Sequence, residues 1–263
     1  MRFIGNLKEG EMFMEEIIIG HDKLASMFPE FKELSGKHLV RILKIKDSKI
    51  EALGSGGLLK YKDRYFVITN AHVIKGVEDK GEIGIPYIVN DDCSFSMEVL
   101  DMKFNLPDDI AVLEINLKDN FVRSKLEFLD VCFMDTDLKG YVDRTNILYL
   151  HGYPSGGTNI DEDNMGIEIE TLPYCTFVAE FDEEIGSLYA YINDEVITEF
   201  GDYIPTPVVT GMSGSFVFGY YLEESTFRVI GILTAWHIED ERLEIYPIQE
   251  FIDYIDKNYF SNL

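Results

Sequence analysis

The chain has 263 residues, of which 46% are hydrophobic, with 23 basic against 48 acidic side chains and a formal net charge of −25. That length buries a full core and suits one large domain or two small barrels. A field this negative disfavours nucleic acid and anionic membranes as partners and favours basic peptide segments, although a plain solvated acidic surface gives the same charge. No apolar run reaches bilayer length, and the N-terminus lacks a basic head followed by a clean apolar stretch. The three cysteines, Cys93, Cys132 and Cys175, are odd in number and widely spaced. They read as buried thiols in a reducing, cytoplasmic setting, with no disulfide framework, no metal and no other cofactor expected.

Residues 1–36 form an N-terminal extension in which 22–34 reads as a short helix interrupted at Pro29. From His38 the texture changes to short β-type runs at 39–45, 57–60, 65–69, 83–89, 95–104 and 110–115, separated by Gly, Asn and Asp clusters. This set defines a first barrel over 37–135, with a connection at about 135–144. A second set begins near Asn146 and continues at 167–171, 176–180, 188–192, 214–221, 228–235 and 243–246, defining a second unit over 136–263. The polar, glycine-rich stretch 155–164 reads as a mobile surface loop. Ile248, Phe251, Ile252, Ile255 and Tyr259 recur at helical spacing, which predicts a closing helix over 248–260.

Three segments carry the chemistry: Thr69-Asn70-Ala71-His72, Asp109-Ile110-Ala111-Val112-Leu113 and Gly211-Met212-Ser213-Gly214-Ser215. A serine hydroxyl is a weak nucleophile until a histidine takes its proton and a carboxylate fixes that histidine's tautomer. The chain order His, Asp, Ser, with these flanking residues, resembles the trypsin-like (chymotrypsin-fold) serine proteases of intracellular and bacterial type. Gly54-Ser55-Gly56-Gly57-Leu58-Leu59 resembles the family's strand ahead of the histidine, and His151-Gly152-Tyr153-Pro154 its turn near the second barrel. Val229-Ile230-Gly231-Ile232-Leu233-Thr234-Ala235-Trp236 resembles the strand lining the substrate channel. The resemblance implies an all-β fold with minor helix: two six-stranded antiparallel β-barrels, a C-terminal helix and a short N-terminal extension. It implies a serine endopeptidase acting on a protein or peptide substrate through an acyl-enzyme.

By that resemblance His72 is the general base, Asp109 the carboxylate that orients it and Ser213 the nucleophile, with Asp108 a solvated neighbour. The turn Gly211-Met212-Ser213 is assigned to the oxyanion hole, with the amides of Gly211 and Ser213 as donors. Ser215 stands where most relatives have glycine. Met212 stands where secreted relatives carry the carboxylate that pairs with a newly cut N-terminus. Ile17-Ile18-Ile19-Gly20 therefore has no partner for insertion, and the site is either constitutively formed or ordered through its loops by an activating protein partner. Pro207 falls at the base of the primary pocket and Thr234, Ala235 and Trp236 on its wall. Without a carboxylate at the base, and with a bulky Trp236, the pocket favours a small or medium apolar side chain.

Other readings are weaker. An α/β-hydrolase uses the order Ser, acid, His and a G-x-S-x-G elbow, which Ser215 interrupts. Gly54 to Gly57 lacks the lysine and helix of a phosphate loop. His151 and His237 have no partners at metal-ligand spacing. The alternative from another class is the same fold used as a regulated binding or scaffold module, with little or no proteolysis.

Overall fold

The structure is a computed structural model that describes residues 21–47, 49–90, 93–117, 127–144, 146–161, 166–192, 195–197, 203–206 and 208–261. The first sheet takes strands β1 (Leu39–Lys46), β2 (Lys49–Tyr61), β3 (Arg64–Asn70) and β4 (Ile83–Gly84). After a separate hairpin, β5 (Pro86–Asn90) with β6 (Cys93–Ser96), it continues through β7 (Glu98–Asn105), β8 (Ile110–Asn116) and β9 (Leu129–Asp130). The hydrogen-bonded order is β4-β1-β2-β3-β8-β7, with β9 added in parallel to β2, so this sheet stays open between β4 and β7. β2 and β3 are joined by the two-residue turn Lys62-Asp63, whose φ angles of 46° and 62° give the primed-turn geometry that matches strand twist.

The second half closes. Its strands are β10 (Ile147–Gly152), β13 (Leu172–Asp182), β14 (Ser187–Tyr191), β17 (Phe216–Tyr221), β18 (Thr226–His237) and β19 (Arg242–Pro247), arranged as a closed antiparallel barrel in the order β10-β13-β14-β19-β18-β17. Two small hairpins project from it, β11 (Thr158–Asp161) with β12 (Gly166–Ile169) and β15 (Glu195–Ile197) with β16 (Tyr203–Pro205). Of the stretch 155–164, expected to be loop, Ser155–Gly157 is a one-turn 3-10 segment and Thr158–Asp161 a strand, and 162–164 lie outside the described residues.

Helix α1 (His21–Gly36) runs through Pro29 instead of breaking there. Proline in a helix interior costs about 3 kcal/mol, and the residues on either side supply the compensation. Met27, Phe28 and Phe31 are all buried, and the Phe31 ring lies 4.9 Å from Tyr149 and 5.5 Å from Phe218. Helix α2 (Leu138–Arg144) lies in the chain between the first sheet and the closed barrel. Helix α3 (Ile248–Ile255) continues as a π-helical turn over Asp256–Phe260, and buries Ile248, Phe251, Ile252 and Ile255. It packs against both β8 and β18.

One apolar core therefore runs between the two sheets, joining Leu59, Phe66, Ile68 and Val112 of the first to Phe216, Phe218 and Ile232 of the second. Gly57 is required there because any Cβ would collide with the Phe216 ring. Among the described residues no helix is long and apolar enough to cross a membrane.

Candidate active site

The β3–β8 pairing places the first two chemical groups. Asn70 is opposite Ile110, so His72, two residues beyond the end of β3, meets Asp109, one residue before β8. Asp109 adopts a left-handed φ of 51°, and its carbonyl accepts from the Ala71 amide at 3.1 Å and from Asn70 Nδ2 at 3.3 Å. Its carboxylate faces His72, with Oδ1 accepting from the His72 backbone N–H at 2.8 Å and Oδ2 standing 2.7 Å from Nδ1. A carboxylate only accepts, so Nδ1 carries the hydrogen and Nε2 of the neutral ring is left as an acceptor. The imidazole is nearly half exposed (46%), which leaves that nitrogen able to meet a substrate. Asp108 is exposed, and its carboxylate accepts from Asn105 Nδ2.

The serine stands on a turn that glycine alone can make. Gly211 and Gly214 have φ of 93° and 90°, a region in which side-chain-bearing residues are strained. A Cβ on Gly214 would also collide with the Ser55 carbonyl and Thr69 Oγ1. Along the turn the peptide groups alternate. Met212 N–H donates to the Val209 carbonyl at 3.0 Å, Ser215 N–H donates to the Met212 carbonyl at 3.0 Å, and Gly214 N–H donates to the Leu233 carbonyl at 2.9 Å. Among the described residues, the Gly211 and Ser213 amides have no partner. The Met212 N–H is committed to Val209 and its side chain is fully buried in the second barrel, so of the turn assigned to the oxyanion hole only Gly211 and Ser213 keep an unengaged amide among the described residues.

Ser55 of β2 ties this turn to the first sheet. Its N–H donates to the Ser213 carbonyl at 3.0 Å and its hydroxyl to the Gly211 carbonyl at 3.1 Å, while the same hydroxyl accepts from the Tyr153 amide at 2.9 Å. The neighbouring Gly54 brings the two halves together. A Cβ there would lie 2.7 Å from Val73 Cγ1 and 3.3 Å from the Ser213 carbonyl oxygen. The residue after His72 and the serine's own backbone are therefore at one spot. The Ser213 hydroxyl itself donates to the Thr234 carbonyl at 3.3 Å, and no hydrogen bond joins it to His72 among the described residues.

Thr234, Ala235 and Trp236 lie on β18, each partly buried, and the Thr234 carbonyl accepts from the Ser213 hydroxyl. Trp236 packs against the barrel interior that includes Val209, Met212 and Leu233, and its buried indole N–H has no partner among the described residues. Pro207 and residues 17–20 lie outside the described residues. Three other histidines have structural partners: His151 Nδ1 is 2.7 Å from Ser35 Oγ, His38 Nδ1 is 2.7 Å from the Glu127 carbonyl, and His237 Nε2 is 2.8 Å from Glu244 Oε2. Among the described residues no group of His, Cys, Asp and Glu is placed to hold a metal ion.

Sequence reasoning missed three residues around the turn. Ser55 sits inside a glycine run that resembles the strand ahead of the histidine, and no role attaches to it there. Ser155 opens a stretch read as mobile, yet both its N–H and its hydroxyl reach the Thr210 carbonyl. Arg41 lies in a strand of alternating character but is 1% exposed; Nη1 donates to the Tyr153 carbonyl at 2.6 Å and Nε has no partner among the described residues. Burial without a carboxylate pushes its guanidinium down to about 10. The only signal in the chain is the unusual density of small residues facing it from Gly54 to Gly57.

The closed barrel, the open sheet packed on it and the C-terminal helix make an all-β fold compatible with the chymotrypsin-like arrangement. No protein-family model matches the chain, and no curated protein matches its sequence.

Proposed function

We propose that the chain is a trypsin-like serine endopeptidase using His72, Asp109 and Ser213. The observation that carries this reading is the doubly hydrogen-bonded His72–Asp109 pair (2.8 and 2.7 Å) set beside a serine turn with two unengaged amides. In the proposed reaction Ser213 Oγ attacks the scissile carbonyl carbon and its proton passes to His72 Nε2. The carbonyl electron pair moves onto oxygen, where the Gly211 and Ser213 N–H groups stabilise it. Collapse expels the amine, which takes the proton from His72, and leaves an ester on Ser213. Water, deprotonated by the same imidazole, then hydrolyses the ester and restores the serine.

The resting hydroxyl is bonded to Thr234, so it must leave that carbonyl before it can pass its proton to His72. Substrate binding along β18 or an activating protein partner would supply that change, which makes gating at the serine turn part of the proposal. The partly buried Trp236 ring at the proposed wall favours a small or medium apolar side chain before the scissile bond. The charge of −25 favours basic segments of an intracellular protein as the wider substrate. The test is product analysis by mass spectrometry after incubation with a denatured protein mixture. New peptide ends made by the native chain and absent with Ser213→Ala support the reading, and identical products from both overturn it.

A further inference from the structure

The Thr210–Gly211 peptide is held from one side by a single residue. Ser155 donates to the Thr210 carbonyl twice, from its backbone N–H at 2.6 Å and from Oγ at 2.9 Å. The N–H and C=O of a trans peptide point in opposite directions, and among the described residues no peptide bond is cis. Fixing the Thr210 carbonyl on Ser155 therefore turns the Gly211 N–H away from Ser155. The contact is close enough to demand glycine: a Cβ on Gly211 would lie 2.6 Å from Ser155 Oγ, 2.7 Å from Ser155 N and 3.0 Å from the Tyr153 carbonyl. The next peptide is fixed in the opposite sense, with the Gly211 carbonyl on Ser55 Oγ and the Met212 N–H on Val209.

We infer that Ser155 is a positioning residue whose clasp on the Thr210 carbonyl holds the Gly211 amide in the orientation that receives the oxyanion; this rests on the endopeptidase reading above. The segment that bears Ser155 is itself anchored. Tyr153 is held through its carbonyl by Arg41 and through its amide by Ser55, and the Gly157 N–H donates to the Pro154 carbonyl at 3.1 Å. Arg41, Tyr153 and Ser155 thus form a support behind the turn. Ser155 itself is exposed. Its hydroxyl bond is therefore the part of the support that a partner or a change in the β11–β12 hairpin can break without unfolding the core. Without that bond the Thr210 carbonyl keeps only the Ser155 N–H, so the Thr210–Gly211 peptide turns more readily, and one oxyanion donor is lost when it does.

Three measurements test this on the full chain. Ser155→Ala keeps the backbone N–H and removes the hydroxyl. Its kcat is expected to fall about tenfold, the effect of one hydrogen bond, with KM and melting temperature unchanged. Affinity for a peptidyl trifluoromethyl ketone, which forms a tetrahedral oxyanion on the serine, falls in parallel, and Ser155→Thr restores both. Crystal structures of the native chain and Ser155→Ala read the peptide directly, with Gly211 N–H expected to have turned from the site in the variant. An active native enzyme with equal kcat and equal inhibitor affinity in Ser155→Ala overturns the clasp. If the native chain hydrolyses nothing, the endopeptidase reading fails by itself. The crystal structures then decide the clasp: a rotated peptide supports it and an unmoved one overturns it.

Discussion

Asp109 uses both carboxylate oxygens on a single residue, one for the His72 backbone N–H at 2.8 Å and one for the ring Nδ1 at 2.7 Å. The backbone bond fixes where the ring begins and the side-chain bond fixes which nitrogen bears the hydrogen, so position and tautomer are set together. Asp109→Asn presents an amide NH2 or a weaker acceptor to Nδ1. Under the proposed mechanism kcat falls by about 10⁴-fold through the wrong tautomer, while the melting temperature changes little. Steady-state hydrolysis beside a thermal melt checks this.

The serine turn makes a stability prediction independent of any activity. Gly214→Ala puts a Cβ into the Ser55 carbonyl at a φ of 90°. The cost is more than about 1 kcal/mol, and the ties from Ser55 to Ser213 are lost with it. Denaturant titration of Gly214→Ala against Gly156→Ala, where a Cβ meets nothing within 4 Å, separates the two: the first loses stability and the second does not.

The His-Asp half was the most legible part of the chain. Runs at 65–69 and 110–115 match β3 (Arg64–Asn70) and β8 (Ile110–Asn116) almost residue for residue, because apolar β-formers fill them and the functional residues flank them. The helix at 248–260 was equally plain, since its apolar spacing meets the core on two sides. β2 was not: it runs over Lys49–Tyr61, while the sequence marks only 57–60. Charged Lys49 and Glu51 mark no strand, the glycine run from Gly54 is strand-like only through the family resemblance, and pairing with β1 makes the whole stretch one strand. Ser55, Arg41 and Ser155 were illegible for a related reason. Each acts on a backbone carbonyl far away in sequence, and a carbonyl leaves no mark in the residue string.

Stability will depend on acid pH through His151. Burial drops its pKa to about 4, and it packs under α1, with Nδ1 2.7 Å from Ser35 Oγ. Above pH ~6.5 the ring is neutral folded or unfolded and contributes no difference. Between about 6.5 and 4 the unfolded chain takes the proton and the folded chain does not, so stability falls with pH and levels off below 4. The loss approaches ~3 kcal/mol, and His38, also lowered by burial, adds in the same direction. Urea titrations from pH 7 to 4 read this slope, which His151→Gln flattens.

Met212 is fully buried among apolar side chains, so it offers nothing to an inserted α-ammonium, whose unpaired burial is costly. Removing residues 1–20 is expected to leave the reactivity of Ser213 unchanged. A chain that stays silent until cut before one of Ile17 to Ile19, and then turns on, contradicts that expectation.

Trp236 sets the proposed pocket. Replacing it with glycine, Trp236→Gly, removes the ring that packs into the barrel beside Ser213. The ratio of kcat/KM for peptides with Phe against Ala before the scissile bond is expected to rise at least tenfold, the scale of one filled apolar pocket. An unchanged ratio places the specificity wall elsewhere.

The measurement closest to the central claim is intact-mass labelling with a fluorophosphonate, followed by peptide mapping, on the native chain, Ser213→Ala and His72→Ala. The account predicts one adduct on Ser213 in the native chain, none in Ser213→Ala and strongly slowed labelling in His72→Ala. A native chain that stays unlabelled, or equal labelling in Ser213→Ala, contradicts it.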